Sequence, residues 1–437
     1  MKILLINAIN PLSEVQYRWP NLGLGYLVSS ARRHFGAHTF EFRIVDRKIP
    51  EEIKAFRPEI VGITAVSQNY GYAKQYAAMA KKAGCFVVMG GMHISCLPKT
   101  MTTDMDAAVI GEGERAFCDF LEAYMDKKPI PRTMQAPDLI EPIDRIPRPA
   151  RDLMQTRIQS SLFSSRGCPY RCVFCFSSRY WKKVRFFSAE YVAEELREMY
   201  AMGVRRANFY DDLMIADTAR LAKLHDIIVK DPALSKMKFW LNARANTVTE
   251  ETAEIMASMG VVSVGMGLES GNERTLRYLK GGSVSVEDNY KAVRILHRHG
   301  IGATASFVIG SPDETEEEIM DTYKFIQRSG LDFVDAFPLV PFPATPVWEE
   351  AKERGLVSDE DMDWNRLNVY WGKKGDPIVM SRHLTREDMD RIYAKFQRLR
   401  LWIAFKRAWF HPFFKEMVKA GVKKLINSVR MLCRKSA

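Results

Sequence analysis

The chain has 437 residues, 47% of them hydrophobic and 27% charged, with a formal net charge of +11. That is more than one typical domain and enough apolar material for full cores, which excludes a disordered or fibrous chain. The excess charge would suggest nucleic acid if it ran along a groove. Instead nine basic residues follow Leu401 (Lys406, Arg407, Lys415, Lys419, Lys423, Lys424, Arg430, Arg434, Lys435) against one acid, Glu416, and no nucleic-acid partner is expected.

Seven cysteines with one tight cluster do not resemble a secreted disulfide framework, so a reducing cytoplasm fits better. The apolar N-terminus lacks the layout of a signal peptide and reads as a first strand. No stretch reaches the roughly 18 uninterrupted apolar residues of a membrane-spanning helix.

In chain order, short apolar strands at Lys2 to Asn7, Glu41 to Val45, Ile60 to Thr64, Phe86 to Met89 and Ala107 to Ile110 alternate with helix-length segments. This predicts an α/β domain over residues 1–135, a doubly wound, Rossmann-like parallel sheet. In such sheets ligands sit at the carboxyl ends of strands. Prolines 129, 131, 137, 142, 147 and 149 are too close together for a helix or a central strand, and residues 136–155 read as a linker.

Beyond it, strand signals return at Leu162 to Arg166, Arg206 to Tyr210, Phe239 to Ala243, Val261 to Leu268, Ala303 to Ile309 and Phe333 to Leu339. Six parallel strands with intervening helices predict an incomplete (β/α)6 barrel over residues 156–350. Residues 351–437 read as a helical, basic C-terminal region.

The chemistry concentrates in Arg166-Gly167-Cys168-Pro169-Tyr170-Arg171-Cys172-Val173-Phe174-Cys175. Three thiolates at spacings of three and two can face one centre, and thiolates are the soft ligands that iron-sulfur clusters require. A structural zinc site usually takes four protein ligands, and no second cysteine pair lies nearby. A chance trio of buried thiols is the remaining alternative.

This segment resembles the radical S-adenosylmethionine (SAM) superfamily. The resemblance implies a 4Fe-4S cluster on Cys168, Cys172 and Cys175, whose open iron binds SAM. It also implies that Phe174 packs near the adenine, that Asp211 or Asp212 holds the methionine ammonium, and that Glu269 and Ser270 contact ribose and carboxylate. Arg244 would pair with the carboxylate, and Gly310 lies in a turn resembling the family's segment near the adenine. Taken singly, each position has a plainer reading as a helix cap or a satisfied buried group. Together they fall on successive strand ends at one barrel mouth.

The first domain resembles the cobalamin-binding domain of the cobalamin-dependent members of that superfamily, through Asn21 to Leu27, Pro58 to Thr64, Gly90-Gly91-Met92-His93 and Gly111-Glu112-Gly113-Glu114. Thr64, Gly90, Gly91, Gly111 and Glu112 are the implied cobalamin contacts. The Asp-x-His-x-x-Gly motif that supplies a lower cobalt ligand in many cobalamin proteins is absent, and His93 reads as a residue that shapes its loop. Cys85, Cys96 and Cys118 lack the context of the second cluster of methylthiotransferases and read as buried thiols.

The resemblance implies methyl transfer to an unactivated carbon or a phosphorus centre of a small molecule, lipid or tetrapyrrole. The alternatives are radical oxidation, cyclisation or rearrangement, and, from another class, a cobalamin-binding sensor or carrier. A reducing protein such as flavodoxin or ferredoxin is the implied electron donor. In the tail, Val422, Leu425, Ile426, Val429 and Leu432 share one helical face, and Trp402, Phe405, Trp409, Phe410, Phe413 and Phe414 lie upstream. An amphipathic basic helix of this kind suits an anionic membrane surface or packing on the barrel.

Overall fold

The computed structural model describes residues 1–11, 20–154, 159–181, 183–360, 362–369, 371 and 377–408. Its first sheet contains β1 (Lys2–Asn7), β2 (Glu41–Val45), β3 (Ile60–Thr64), β4 (Phe86–Gly90), β5 (Ala107–Ile110) and β6 (Thr133–Gln135), all parallel in the order β2-β1-β3-β4-β5-β6. Both faces are covered, which is why β1 is apolar along its length rather than alternating. Ile3 and Leu5 join the core beneath the helices Leu22–Phe35 and Gly113–Met125, while Leu4 and Ile6 join the opposite core with Ile49–Phe56 and Tyr70–Lys82. The order reverses between β1 and β3, so the crevice favoured by ligands opens at their carboxyl ends.

The sequence reading missed β6. It is an edge strand beside prolines, and an edge strand bonds on one side only, so the proline argument excluded a central strand and nothing more. The linker after it is docked rather than free. Ala150 N–H donates to Gly25 O at 3.1 Å, and a Cβ at Gly25 would lie 2.0 Å from Met154 Cε and 3.0 Å from Pro149 Cβ, so the linker lies directly on the helix Leu22–Phe35.

The second sheet has β7 (Gln159–Leu162), β10 (Arg206–Phe209), β11 (Lys238–Ala243), β12 (Val261–Glu269), β13 (Gly302–Ile309) and β14 (Phe333–Pro338), in the order β14-β13-β12-β11-β10-β7. The neighbours pair in parallel, and β7 and β14 stand as open edges of an incomplete barrel. The first barrel strand therefore ends at Leu162, earlier than its sequence signal. Ser165–Arg166 forms β8 of a two-stranded antiparallel clip with β9 (Arg185–Phe186), which brackets the cysteine loop.

The C-terminal region is not a separate layer. Trp348, Trp364, Leu367, Ile378 and Met380 join the first domain's core, and Trp364 lies edge-on to Tyr70 and His93. The helix Arg386–Ala408 buries Met389, Ile392, Phe396, Leu399 and Ile403 in the barrel core, a spacing of three and four that keeps one stripe inward. The basic segment after Ala408 lies outside the described residues.

Candidate functional site

The cysteine loop begins where the clip turns it into the barrel mouth. Gly167 has φ +96°, and a Cβ there would meet Lys183 O at 2.9 Å and Trp181 Cβ at 3.0 Å, so only glycine lets the strand exit so tightly before Cys168. Cys168, Cys172 and Cys175 all line one cavity of about 620 Å³, together with Tyr170, Phe174, Tyr210, Asp211, Asp212, Asn242, Arg244, Glu269 and Lys280. That volume falls in the range of cofactor and small-molecule pockets. Among the described residues no three His, Cys, Asp or Glu side chains converge on one ion-sized point.

Two cations stand on the cysteine side. Arg244 Nη1 lies 3.5 Å from Cys172 Sγ, Nη2 donates to Ser283 Oγ at 2.7 Å, and the guanidinium stacks 3.9 Å over the Tyr170 ring. Arg244 thereby fixes the loop and places positive charge beside its thiols. Lys280 ends the helix Glu273–Lys280, and its ammonium donates to Gly267 O. Burial pulls Lys280 below its usual pKa, and the Glu269 carboxylate opposes this.

Glu269 closes β12 with φ +64°, a conformation costly for a side chain with a Cβ and one that persists where the surroundings enforce it. Its carboxyl folds back over Gly267, where a Cβ would lie 2.1 Å from Glu269 Oε1. Burial raises the Glu269 pKa, against the pull of Lys280 and Arg244.

The aspartate pair divides its labour. Asp211 is buried and accepts from Ser164 N at 2.6 Å, from Ser165 Oγ at 2.9 Å and from Ser164 Oγ, so it fastens the end of β10 to the approach of the cysteine loop. Burial raises its pKa, and the Ser164 hydrogen bonds oppose the shift. Asp212 is exposed and accepts from Ser177 Oγ at 2.6 Å.

Two sequence candidates stand outside the cavity lining. Ser270 is buried and bonds Thr322 Oγ1 at 3.1 Å and Asn272 N at 3.1 Å, holding the turn after β12 to the helix Glu316–Ser329. Gly310, with φ +79°, donates its N–H to Glu314 Oε2 at 2.8 Å and faces Met389, whose Cε would lie 2.7 Å from an added Cβ. Conversely, the sequence reading missed Asn242, Lys280, Thr304, Ser306 and Asp335 in the lining. The one signal for Thr304 and Ser306 is their two-residue spacing in β13, and Lys280 carries none beyond its place before Gly281-Gly282.

At the carboxyl edge of the first sheet, Thr64, Gly90, Gly91 and Gly111 end β3, β4 and β5 as expected. Gly91 has φ +92° and its missing Cβ would collide with Thr64 Oγ1 at 2.3 Å. An added Cβ would stand in ordinary van der Waals contact, 4.0 Å from Val109 O at Gly90 and 3.6 Å from Gln135 Nε2 at Gly111. Gly111 N–H donates to Ser95 Oγ at 3.0 Å, so Gly90 is the strand end of the two where the missing side chain allows a bulky ligand to approach closely.

Glu112 has a different task from the one expected. Arg166 Nη1 donates to it at 2.6 Å, Arg185 at 2.8 and 3.1 Å, and Ile140 N at 3.0 Å, while Arg166 Nη2 reaches Glu114 at 2.5 Å. Burial works to raise the Glu112 pKa, but the hydrogen bond from Arg185 and the charge of Arg166 hold it below the usual carboxylate range. Both oxygens are thus engaged in tying the first domain to the clip that carries the cysteine loop. Tyr180 O–H adds a 2.6 Å bond to Gly111 O across the same boundary.

His93 is buried with both ring nitrogens in contact, Nδ1 with Ser67 Oγ at 3.0 Å and Nε2 with Thr100 Oγ1 at 3.1 Å, and it stacks on Tyr70 at 3.7 Å. It shapes its loop, as expected. Cys85 and Cys96 contact the carbonyls of Pro58 and Met92. Burial pushes the Cys96 and Cys118 thiols up to about 12; Cys85 and Cys118 are buried as expected, whereas Cys96 is only half-buried.

The residues fit the implied groups. Three soft donors on one loop beside a buried guanidinium suit an anionic cluster with one iron left open, the cavity they line suits SAM, and the side-chain-free strand end at Gly90 suits a corrin. Phe174 lines the cavity and also packs on the first domain's core, so the two regions adjoin.

Comparison with known proteins agrees. The Radical SAM superfamily model matches residues 162–326, and the B12 binding domain model matches residues 11–121. An uncharacterized methyltransferase of Pyrococcus horikoshii is 30% identical over 432 residues, covering 90% of this chain and 92% of its own length. The anaerobic magnesium-protoporphyrin IX monomethyl ester cyclase of Cereibacter sphaeroides is 22% identical over 462 residues, 94% of this chain and 73% of its own. A solved radical S-adenosylmethionine methyltransferase from Kitasatospora setae superposes with a TM-score of 0.68 at 19% identity, over 81% of this chain and 76% of that one, a likeness of fold.

Proposed function

Because the chain belongs to the cobalamin-binding radical SAM family, we propose that it is a methyltransferase acting on an unactivated carbon or a phosphorus centre of a small molecule. The observation that carries this reading is the placement of Cys168, Cys172 and Cys175 around one cavity whose wall, through Phe174, packs on the cobalamin-binding domain. When bound, the 4Fe-4S cluster supplies the electron that cleaves SAM to a 5'-deoxyadenosyl radical, and cobalamin supplies the methyl carrier.

The protein's own groups bind and orient. The three cysteines hold the cluster, and Arg244 balances its charge and fixes its loop. Asp212 offers a carboxylate to the methionine ammonium, Lys280 offers a cation to the carboxylate, and Glu269 and Asn242 offer acceptors to the ribose hydroxyls. Phe174 provides an apolar wall for the adenine. Thr64, Gly90, Gly91 and Gly111 would seat the corrin.

The electron donor in this reading is a small reducing protein such as flavodoxin or ferredoxin, in the cytoplasm. Cyclisation is the second reading, supported by the likeness to the Cereibacter sphaeroides cyclase along 94% of this chain. Anaerobic reconstitution with iron, sulfide and cobalamin tests the proposal. The reduced protein should form 5'-deoxyadenosine from SAM, and Cys172→Ala should form none. A protein that takes up neither cluster nor cobalamin refutes it.

A further inference from the structure

The helix Ser177–Tyr180 and its cap Trp181 grip the cysteine loop at both ends. The helix follows Cys175 directly, and Arg179 Nη1 donates to Cys172 O at 3.1 Å and to Cys175 O at 3.0 Å. Trp181 packs on Gly167, the residue before Cys168, with its Cβ 3.0 Å from where a Cβ of Gly167 would lie. The approach to Cys168 and the backbone of Cys172 and Cys175 are therefore fastened to residues 177–181.

From the same helix Tyr180 crosses to the first domain. Its hydroxyl donates to Gly111 O at 2.6 Å. Gly111 N–H donates to Ser95 Oγ at 3.0 Å, and the Ser95 hydroxyl donates to Gly91 O at 2.8 Å. One chain of hydrogen bonds thus runs from Gly91 through Ser95, Gly111 and Tyr180 to the helix that grips the cysteine loop. Burial raises the Tyr180 phenol above its usual pKa, against a hydrogen bond with Ser95, so its proton stays available to Gly111 O.

The two attachments between the domains differ in what they touch. Arg166 and Arg185 meet the buried carboxylates of Glu112 and Glu114, which join the domains whether or not anything is bound. Tyr180 instead meets backbone at the sheet edge where the corrin would be seated. A ligand that immobilises Gly90 and Gly91 also immobilises Ser95 and Gly111, and that ordering reaches the cysteine loop through one phenol hydroxyl. Ordering already supplied by one ligand lowers what the second must supply, and the effect is reciprocal. We propose that Tyr180 is a positioning residue that couples the two cofactor sites, so that cobalamin and the cluster each bind more tightly when the other is in place. The coupling rests on the corrin seat described above and not on methyl transfer.

The test titrates the full chain with hydroxocobalamin, anaerobically and without SAM or reductant, before and after cluster reconstitution. In the parent, cluster loading should lower the cobalamin Kd by about fivefold or more, and bound cobalamin should slow removal of iron by a chelator. Tyr180→Phe keeps the ring and removes only the hydroxyl. It should take up both cofactors and show the same cobalamin Kd with and without the cluster. A residue that merely stabilises the fold would weaken both constants together and leave their ratio unchanged. If Tyr180→Phe does not fold, Ser95→Ala interrupts the same chain of hydrogen bonds and should erase the ratio instead. Equal constants in the parent, or a ratio that survives in either variant, overturn the proposal. A parent that binds no cobalamin overturns the corrin seat and the coupling with it. No turnover is involved, so a chain that shows the coupling but transfers no methyl group contradicts the proposed function alone.

Discussion

Each half of the chain is a six-stranded parallel sheet with its site at the carboxyl ends of the strands, but the two sites are built from different parts of the residues. In the first sheet the chemically conspicuous side chains are used by the protein itself: His93 is enclosed by Ser67, Thr100, Tyr70 and Trp364, and Glu112 is taken by Arg166 and Arg185. What remains at the carboxyl edge there is side-chain-free backbone, at Gly90, Gly91 and Gly111. In the second sheet the side chains themselves converge, with three thiols, Arg244, Lys280, Glu269 and Asp212 around one cavity. A rigid macrocycle asks for room and close backbone approach, whereas a charged cluster and a zwitterion ask for convergent charge. The same topological rule serves both.

This contrast breaks most sharply at the thiols. Cys168→Ala, Cys172→Ala or Cys175→Ala should abolish cluster assembly and SAM cleavage, while Cys85→Ala, Cys96→Ala and Cys118→Ala should leave iron at about four per chain by chemical analysis. Iron lost with the second group would erase the distinction between the two sheets.

The next effect lies at the boundary that joins them. Glu112→Gln leaves Arg166 and Arg185 buried with a weakened partner, and removing one member of such a set costs about 3–5 kcal/mol. Urea denaturation should show that loss, and the clip should no longer hold the cysteine loop at a fixed distance from the first domain. Magnetic relaxation of the cobalamin signal by the reduced cluster would then become heterogeneous in Glu112→Gln and stay uniform in the parent. An unchanged urea midpoint would mean that the ion network contributes nothing.

Glu314 sharpens the electrostatic side. Burial raises its pKa from the ordinary 4.5 to about 7, against hydrogen bonds from the Ser311 and Gly310 amides. A carboxyl raised on folding contributes stability fully present below its unfolded pKa and lost as pH rises through its folded one. Stability should therefore fall by roughly 3 kcal/mol between about pH 4.5 and 7 on account of this group. Glu314→Gln keeps an acceptor for both amides and should be more stable than the parent above pH 7, with little difference at pH 5. Parallel pH profiles of the two proteins would contradict this.

The smallest expected effect is at His93. Its ring is enclosed by protein, so the electron paramagnetic resonance of bound cob(II)alamin should show no protein nitrogen splitting and no change in His93→Ala. Splitting that vanishes with the substitution would make His93 a ligand after all.

Ten of the twelve strands of the two sheets were legible because most buried parallel strands carry apolar runs, the exceptions being the edge strands β6 and β7, and Cys168, Cys172 and Cys175 were legible because their spacing is local. Less local features were not. Ser165 and Arg166 read as part of a barrel strand because their apolar lead-in at Leu162 continues smoothly, and only the pairing with Arg185 and Phe186 shows the clip. Ser270 sits one residue from Glu269 yet turns to Thr322, since a strand end can send adjacent side chains to opposite sides. Lys280 enters the cavity from the far end of a helix, a placement that no spacing in sequence encodes. The tail after Ala408 lies outside the described residues.

The most direct measurement is made in cells that express this chain and are fed methionine with a deuterated methyl group. Mass spectrometry of extracted metabolites and lipids should reveal a product carrying a transferred trideuteromethyl group, present with the parent chain and absent with Cys172→Ala or when cobalamin is withheld. Formation of 5'-deoxyadenosine with no labelled methyl in any cobalamin-dependent product would contradict methyl transfer and leave a radical cyclase or oxidase in its place.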